Sequence, residues 1–332
     1  MPALIDSFGR HIDYLRVSVT EHCNYRCFYC RPGCDANPGN RRNFLTNDEL
    51  VHLVRLFSEL GVSKVRITGG EPLLRYRLAE FVTLLGRLPG LSDISLSTNG
   101  HLLAGVAVPL RLAGVHRINI SLDSIEAGNF SRITHGGDLD RVLHGIKAAQ
   151  AAGMSPVKIN MVVMKGINEH EIEAMLDFAM LQGLELRFIE TMPVGEAGLA
   201  AMDHYYPAPQ ILERVRERFG SQLNPVKGGK GAGPARYYQV GEGPVRIGII
   251  SALSRHFCSG CNRVRLTTKG DLVLCLGHEN RVLLGAELRN GRSDTELKER
   301  ILAAIASKPE RHDFQSDTMH ALSMNSMSKL GG

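Results

Sequence analysis

Two groups of cysteines, one near each end of the chain, have spacings that point to metal chemistry. The first group is Cys23, Cys27 and Cys30, a C-x3-C-x2-C pattern, and Cys34 follows after three more residues. Thiolates grouped in this way bind zinc or iron–sulfur clusters, and both kinds of site usually take four ligands. Two interpretations stay open. Either Cys34 or His22 closes the site, or one metal position remains available for an exogenous ligand.

The second group is Cys258, Cys261 and Cys275, again three thiols. A zinc knuckle completed by the nearby His256 or His278 is one interpretation. Structural zinc favours closed tetrahedral sites, so two incomplete sets in one chain are better explained as two clusters, each with one open iron. The odd total of seven cysteines, in tight groups, argues against a disulfide framework.

Strands and helices that alternate along the chain must position these thiols. The alternation is that of parallel βα units in an α/β protein. About six units are too few for a closed eight-stranded barrel and predict an open, partial (β/α)6 barrel of the TIM type. The predicted strands are Leu15–Thr20, Lys64–Thr68, Asp93–Ser97, Arg117–Ser121, Val157–Val163, Glu185–Glu190 and, later, Val245–Ile250. The predicted helices are Asn47–Leu60, Arg77–Leu88, Leu139–Ala152, Glu169–Gln182 and, near the end, Asp294–Ser307.

Short polar segments follow three of the predicted strands: Gly69–Pro72, Ser97–Gly100 and Ser121–Ser124. Each alone is consistent with ordinary turn chemistry. In a parallel barrel, however, functional groups collect at the carboxyl ends of the strands. The repetition of these segments at successive strand ends therefore predicts a pocket.

Composition limits the classes of protein that remain. The chain has 332 residues, of which 43% are hydrophobic and 22% charged, and its net charge is +5. Bulk disorder is excluded, and the small basic excess suits an anionic small molecule but does not require nucleic acid. No apolar run approaches the roughly 18 residues of a membrane helix, and the N-terminus lacks a secretory pattern. We expect a cytoplasmic protein that binds neither membranes nor nucleic acids.

The motifs together resemble the radical S-adenosylmethionine superfamily and, within it, the GTP 3′,8-cyclase family of molybdenum cofactor biosynthesis. The first cysteine group and Gly69-Gly70-Glu71-Pro72 carry the broader resemblance. The narrower one rests on the block from Phe257 to Thr267, on Cys275-Leu276, on the segment 233–238 and on the terminal Gly331-Gly332. The narrower resemblance extends from about Asp13 to the last residue. It implies that the protein converts GTP to (8S)-3′,8-cyclo-7,8-dihydroguanosine 5′-triphosphate, the first step of molybdopterin biosynthesis.

The resemblance also implies two 4Fe–4S clusters and S-adenosylmethionine as cofactors. Cys23, Cys27 and Cys30 then hold a cluster whose open iron binds S-adenosylmethionine. The other cluster, on the second cysteine group, binds the guanine of GTP. A radical derived from S-adenosylmethionine removes hydrogen from C3′ of GTP, and C3′ then bonds to C8. We accordingly divide the chain into a barrel (1–225) and a C-terminal region (226–332) that carries the second cluster, substrate contacts and the diglycine tail.

Individual site residues follow from the same resemblance. Arg263 and Arg265 would face one side of a strand, where guanidinium groups suit triphosphate oxygens. The residues implied to bind S-adenosylmethionine are Tyr29, Gly70, Ser121 and Met192. Those implied to bind GTP are Arg16, Arg66, Ser97, Lys158, Arg263, Val264 and Arg265. Those implied in catalysis are Arg16, Gly331 and Gly332.

Two departures from the family pattern leave alternatives. Arg31-Pro32-Gly33-Cys34 replaces the Met-Pro that commonly follows the third cysteine, and Leu274 replaces a proline before the last one. We interpret Cys34 as an inert thiol. The alternatives are another radical enzyme with an auxiliary cluster, such as a peptide-modifying maturase or a cyclase paralogue, and a zinc-stabilised binding module. The expected partners are GTP, an external electron donor, cyclic pyranopterin monophosphate synthase and a second copy of the chain.

Overall fold

The computed structural model describes residues 4–30, 43–228, 233–314 and 327–331. The strands within these ranges form one sheet. They are β1 (Tyr14–Ser18), β2 (Lys64–Thr68), β3 (Asp93–Thr98), β4 (Arg117–Ser121), β5 (Val157–Val163), β6 (Glu185–Glu190), β7 (Leu223–Val226), β8 (Arg236–Val240), β9 (Arg246–Ile250), β10 (Arg263–Leu266), β11 (Leu272–Val273) and β12 (Arg281–Val282).

Helices connect most of the parallel strands and cover the sheet. They are α1 (Asn47–Glu59), α2 (Leu78–Gly86), α3 (Ala107–Ala113), α4 (Ala127–Thr134), α5 (Leu139–Ala151), α6 (Ile172–Gln182), α7 (Gly195–Ala200), α8 (Ala208–Phe219), α9 (Leu284–Arg289), α10 (Asp294–Ala306) and α11 (Met327–Leu330). None of the described helices is both long and apolar enough to cross a membrane.

The strand order is β12-β11-β10-β1-β2-β3-β4-β5-β6-β9-β8-β7, and the strands from β10 to β9 in this order are parallel. Six of them come from the first 190 residues, as the sequence predicts. The C-terminal region adds β10 beside β1 and β9 beside β6. The predicted open (β/α) barrel is confirmed, and its outermost parallel strands are supplied from far along the chain.

Alternation along the strands separates an apolar outer face from a polar inner one. On β1, Leu15 and Val17 are fully buried toward the helices, and Arg16 between them points the other way. On β2, Arg66 likewise lies between the buried Val65 and Ile67. The helices cover the outer face. The first of them, α1, begins with a capping box between Thr46 and Glu49. The inner face is left to polar side chains.

Most predicted boundaries agree with the structure to within one residue, and the differences in β1, α2 and α6 have identifiable reasons. β1 begins one residue earlier than predicted and ends at Ser18, because the chain turns into the first cysteine segment. α2 begins after Arg77, whose φ of 57° lies in the left-handed region and cannot continue a helix. The residues from 169 to 171, predicted as the start of α6, form a 3-10 turn before it.

Candidate active site

Three arginines lie side by side at one level of the barrel interior. Arg16 on β1 is in register with Arg265 on β10 and with Arg66 on β2. Burial, followed by the charges of Arg265 and Arg66, lowers the pKa of Arg16 well below its usual value. Burial also lowers the pKa of Arg66 and that of Arg265 to about 10. Concentrated positive charge in a buried cleft attracts a polyanion.

Buried polar atoms on the same face lack partners. Tyr14 Oη, Ser18 Oγ and Arg265 Nε form no hydrogen bond to any described residue. Neither Arg66 nor Arg265 forms an ion pair with a carboxylate within the described ranges. Because buried polar groups are nearly always hydrogen-bonded in native proteins, these atoms indicate the position of a polar ligand.

Arg263 extends the cationic surface by one step along β10. It is 9% exposed and its guanidinium lies over the ring of Phe257, 5.0 Å from the centroid. Val264, between Arg263 and Arg265, is fully buried on the opposite face. Its side chain therefore packs into the outer core, and only its backbone can face the interior.

Lys158 is brought into the same barrel but is already paired with a carboxylate. Ser97, Asn119 and Lys158 follow one another in register across β3, β4 and β5. Lys158 is 1% exposed, forms an ion pair with Glu185 and donates a hydrogen bond to Tyr237 Oη (3.2 Å). Glu185 also pairs with Arg246, so it offsets the charge of Lys158 only in part. The attraction of Lys158 for an anion is still weaker than that of Arg66, which pairs with no described carboxylate.

Sequence reasoning missed Arg187 on β6. This arginine is 2% exposed, and its Nε donates to Asn160 Oδ1 at 2.9 Å while its Nη2 donates to Asn119 Oδ1. Both acceptors are neutral amides, so the positive charge is not cancelled, and it acts on Arg66 across the barrel. An arginine between the apolar Leu186 and Phe188 of a predicted strand was the available signal.

The first cysteine group lies in the segment that follows β1. Burial, then the charges of Asp123, Cys30 and Cys23, raises the pKa of Cys27 well above its usual value, so the three thiols are close together. Cys23 Sγ accepts hydrogen bonds from the Tyr25 backbone N–H (3.4 Å) and from Asn99 Nδ2 (3.8 Å). None of the described cysteines forms a disulfide. Cys34, the proposed inert thiol, lies outside the described residues.

The distances between sulfur atoms favour a cluster over a single zinc ion. Zinc–sulfur bonds of about 2.3 Å require tetrahedral thiolates within about 4 Å of one another. Among the described residues, neither cysteine group has its three Sγ atoms mutually within 4.8 Å. A 4Fe–4S cluster binds its thiolates at separate irons and holds them farther apart than one zinc ion does, so the wider spacing of both sets of three thiols favours a cluster.

Glycines after β2 allow that strand end to contact the first cysteine segment directly. A Cβ on Gly70 would lie 2.3 Å from the carbonyl oxygen of His22, which excludes any side chain there. The Gly70 N–H donates to Thr20 O and the Glu71 N–H to His22 O, both at 2.7 Å. The Gly70 carbonyl therefore remains the group that can contact a ligand.

Glu71 joins the ends of β2 and β3. Its carboxylate is completely buried and accepts hydrogen bonds from the Thr98 hydroxyl and the Asn99 N–H, both at 2.7 Å. Burial outweighs these bonds and raises the pKa of Glu71 to about 7. Since Asn99 also contacts Cys23, this carboxylate fixes the surroundings of the first cysteine group.

A second buried carboxylate joins the cysteine segment to β4 and β5. Tyr29 donates its hydroxyl to Asp123 Oδ2 (2.6 Å), and Asp123 Oδ1 accepts the Val162 N–H (2.8 Å). Burial raises the pKa of Asp123 to about 6. Ser121 is exposed at the end of β4, and Met192 is half-buried just after β6. Tyr29, Gly70, Ser121 and Met192 thus all occur at the carboxyl-end rim of the barrel.

The second cysteine group lies beside β10. Cys261 lies two residues before that strand begins, and its N–H donates to Cys258 O (3.1 Å). Burial opposes ionisation of Cys261, but the charges of Arg263 and Lys308 outweigh it and lower its pKa to about 7. Arg265 also interacts with Cys261 and Cys275. The arginine row and the second cysteine group are therefore adjacent.

One histidine suggested by the zinc interpretation has both ring nitrogens engaged elsewhere. His278 Nε2 lies 3.0 Å from Arg311 O, and Asp313 lies beside its other ring nitrogen. The other, His256, is exposed and packs edge-on against His312, a contact that does not occupy its ring nitrogens. The zinc interpretation therefore loses His278 as a fourth ligand.

The C-terminal tail enters the barrel from above β2. Leu330 and Gly331 are buried, and a Cβ on Gly331 would lie 2.3 Å from Thr68 Cγ2. Its φ of 75° also favours glycine. Thr68 is two residues beyond Arg66 on the same strand, so Gly331 lies close to the cationic row. Gly332 lies outside the described residues.

Comparisons with known proteins agree with this arrangement. Residues 17–179 match the radical SAM superfamily, and residues 184–314 match the family described as Molybdenum Cofactor Synthesis C. The GTP 3′,8-cyclase of Hydrogenovibrio crunogenus is 50% identical over 331 residues, covering 99% of this chain and 100% of that protein. The one from Paracoccus denitrificans is 45% identical over 335 residues, covering 99% and 96%.

A solved structure supports the fold alone. Streptococcus suis SuiB bound to S-adenosylmethionine superimposes with a TM-score of 0.63 at 14% sequence identity. The match covers 89% of this chain and 69% of that chain. The barrel with a C-terminal addition is thus shared with a protein of very different sequence.

Proposed function

The chain belongs to the GTP 3′,8-cyclase family, and from this premise we propose that GTP binds between its two cysteine groups, along the row of Arg265, Arg16 and Arg66. The chain is a radical enzyme that converts GTP to (8S)-3′,8-cyclo-7,8-dihydroguanosine 5′-triphosphate, the first step of molybdenum cofactor biosynthesis. The in-register cations on β10, β1 and β2 are the observation that carries the proposal.

The cofactors are two 4Fe–4S clusters and S-adenosylmethionine. Cys23, Cys27 and Cys30 hold the cluster that, with S-adenosylmethionine, supplies one-electron radical chemistry; Cys258, Cys261 and Cys275 hold the other. Tyr29, Gly70, Ser121 and Met192 contact S-adenosylmethionine at the rim. In this proposal the hydrogen bonds of Glu71 and Asp123 keep the rim segments fixed before either ligand binds.

The cations orient the nucleotide along the barrel. Arg263 and Arg265 lie beside the second cysteine group, so they contact the part of GTP that faces that group. Arg66 and Arg187 lie further across the interior and suit the triphosphate, because a guanidinium pairs with phosphate oxygens through two parallel hydrogen bonds. Ser97, Lys158 and the backbone of Val264 complete the substrate contacts.

Catalysis also needs water to be excluded from the reacting carbon. The buried tail at Gly331 covers the interior near Thr68. We assign Gly331 and Gly332, together with Arg16, to the catalytic machinery. Residues 1–225 supply the parallel strands β1 to β6 of the barrel in this scheme, and residues 226–332 supply its outer strands β9 and β10, the second cluster and the tail.

The partners of the reaction belong to the same proposal. An external one-electron donor reduces the first cluster, and the product passes to cyclic pyranopterin monophosphate synthase. The chain acts in the cytoplasm as a homodimer, and it requires neither nucleic acid nor a membrane.

The test is a single anaerobic incubation of reconstituted protein with GTP, S-adenosylmethionine and dithionite. Reconstitution should give about eight irons and eight sulfides per chain. The product is an isomer of GTP, so it is identified by chromatography before mass analysis. With GTP deuterated at C3′, the label should appear in 5′-deoxyadenosine. Zinc without sulfide, or unlabelled 5′-deoxyadenosine alongside unchanged GTP, would refute the proposal.

A further inference from the structure

Lys308 is a buried lysine placed beside the second cysteine group by the last long helix. The apolar face of α10, including Leu297 and Ile301, packs into the main core. The helix ends at Ala306, and the Lys308 N–H donates to Ile305 O (3.1 Å). The backbone of Lys308 is therefore fixed by the core, and its side chain is only 3% exposed.

The ammonium group of Lys308 contacts the segment that carries the last cysteine ligand. Its Nζ donates to the carbonyl oxygen of Leu274 (2.5 Å), the residue directly before Cys275. Its charge also interacts with the thiols of Cys261 and Cys275. Lys308 thus acts on two of the three ligands, as Arg265 does from β10.

A second buried cation secures the remaining ligand. Arg10 Nη1 donates to Cys258 O (2.9 Å) and to Glu310 O (2.6 Å), while its Nη2 donates to Pro309 O (2.7 Å). The residues just after Lys308 are therefore tied to the Cys258 segment. Arg10 has a counter-charge of its own, because it forms an ion pair with Asp6 (2.5 Å).

Lys308 differs from Arg10 in that no described residue supplies such a counter-charge. Within the ranges that the structure describes, it forms no ion pair with a carboxylate. A buried ammonium without an anion costs several kcal/mol, even after the protein relaxes. Among the described residues, Cys261 and Cys275 are groups whose negative charge stabilises this ammonium, and both become thiolates when they bind iron.

We propose that Lys308 is a positioning residue of the second cluster: it holds the Cys275 segment through the Leu274 carbonyl, and its buried positive charge raises the reduction potential of that cluster. A nearby positive charge stabilises the reduced state, because reduction makes the cluster more negative. This inference rests on the assignment of a cluster to Cys258, Cys261 and Cys275.

The experiment compares Lys308→Met, which removes the charge and the donor, with Lys308→Arg, which keeps both. Lys298→Met is the matched control, because Lys298 lies on α10 but is one-third exposed and pairs with Glu59. Iron and sulfide are measured after anaerobic reconstitution, and the midpoint potential of each cluster is measured by a redox titration followed by electron paramagnetic resonance.

In Lys308→Met we expect a more negative midpoint potential for the second cluster and an unchanged one for the first. Loss of about four irons from the second cluster alone, rescued by Lys308→Arg, supports the same role. A full iron content with unchanged potentials in Lys308→Met would overturn it. So would loss of both clusters in Lys308→Met, since the whole fold would then be affected. A Cys275→Ala variant that keeps all the iron of the wild type would instead refute the cluster assignment itself.

Discussion

Arg16 and Arg265 lie opposite each other on neighbouring parallel strands, although 248 residues separate them in the sequence. Their guanidinium groups repel each other in a buried site, and burial together with Arg265 depresses the pKa of Arg16. The barrel therefore keeps an electrostatically unfavourable arrangement that a bound polyanion relieves. Strain of this kind is typical of a functional site.

Arg265→Gln should weaken GTP binding without loss of iron. A charged hydrogen bond contributes about 1.5–3 kcal/mol, which corresponds to a roughly 10- to 100-fold rise in Kd. Arg218→Gln is the control, because Arg218 is an exposed arginine that pairs with Asp177 on the outside of the barrel. Equilibrium binding of GTP to both variants is the measurement. Equal affinities would show that Arg265 is not a substrate contact.

Alanine substitutions in the two cysteine groups should affect formation of 5′-deoxyadenosine and cyclisation of GTP differently. Cys23→Ala should abolish formation of 5′-deoxyadenosine, because the site that takes S-adenosylmethionine is lost. Cys258→Ala should retain some 5′-deoxyadenosine formation while cyclisation of GTP stops. Each variant should lose about four of about eight irons. Chromatographic assay of both products checks this, and equal loss of both activities in the two variants would contradict the division of labour.

How much of this site the sequence predicts depends on the range of the interactions. The cysteine groups and the turn after β2 are local patterns, and the spacing of their residues in the sequence is sufficient to predict them. The pairing of β10 with β1 is not local, so the alignment of Arg16 with Arg265 required the structure. Lys158 shows the same limit: a lysine at this position suggests an anion contact, but its ion-pair partner, Glu185, lies on the adjacent strand.

Arg187 marks another limit of sequence reasoning. Its segment predicts a buried strand, and a single arginine there is more often explained as a solvated edge residue. The amides of Asn119 and Asn160, on two other strands, make its burial tolerable without cancelling its charge. That combination exists only after three strands have assembled.

Glu71→Gln should change how stability depends on pH. The folded pKa of Glu71 is about 7, against 4.5 for an ordinary glutamate. Below pH 4.5 both states hold the proton, so the carboxyl contributes nothing. Between pH 4.5 and pH 7, Glu71 is ionised in the unfolded chain but keeps its proton in the folded one. The free energy of unfolding therefore falls as the pH rises through this range, and the total decrease above pH 7 is up to about 3 kcal/mol.

The glutamine variant cannot ionise and should lack this decline. Urea unfolding of the wild type and Glu71→Gln, side by side from about pH 5 to about pH 8, measures it. The lost acceptor shifts the variant's curve by a constant amount, so the slope rather than the absolute stability is compared. Parallel pH profiles for the two proteins would show that the buried carboxyl does not titrate in this range.

Gly331→Ala should strongly lower the rate of GTP cyclisation while it lowers the free energy of unfolding only slightly. The added methyl group would meet Thr68 Cγ2 at 2.3 Å, and the φ of 75° at Gly331 disfavours alanine, so we expect the tail to be displaced. Gly291→Ala is the matched control: Gly291 has a similar φ of 80°, but a Cβ there meets nothing within 4 Å. It should cost about 1 kcal/mol of stability and leave the rate of cyclisation unchanged.

Replacing Thr68 with serine in the Gly331→Ala background removes the clashing methyl group and should restore part of the activity. Single-turnover formation of the cyclised nucleotide is the measurement, with thermal unfolding as the check on stability. Since displacement of the tail opens the interior to water, formation of 5′-deoxyadenosine should continue while cyclisation falls. A Gly331→Ala variant as active as Gly291→Ala would mean that the tail has no part in the reaction.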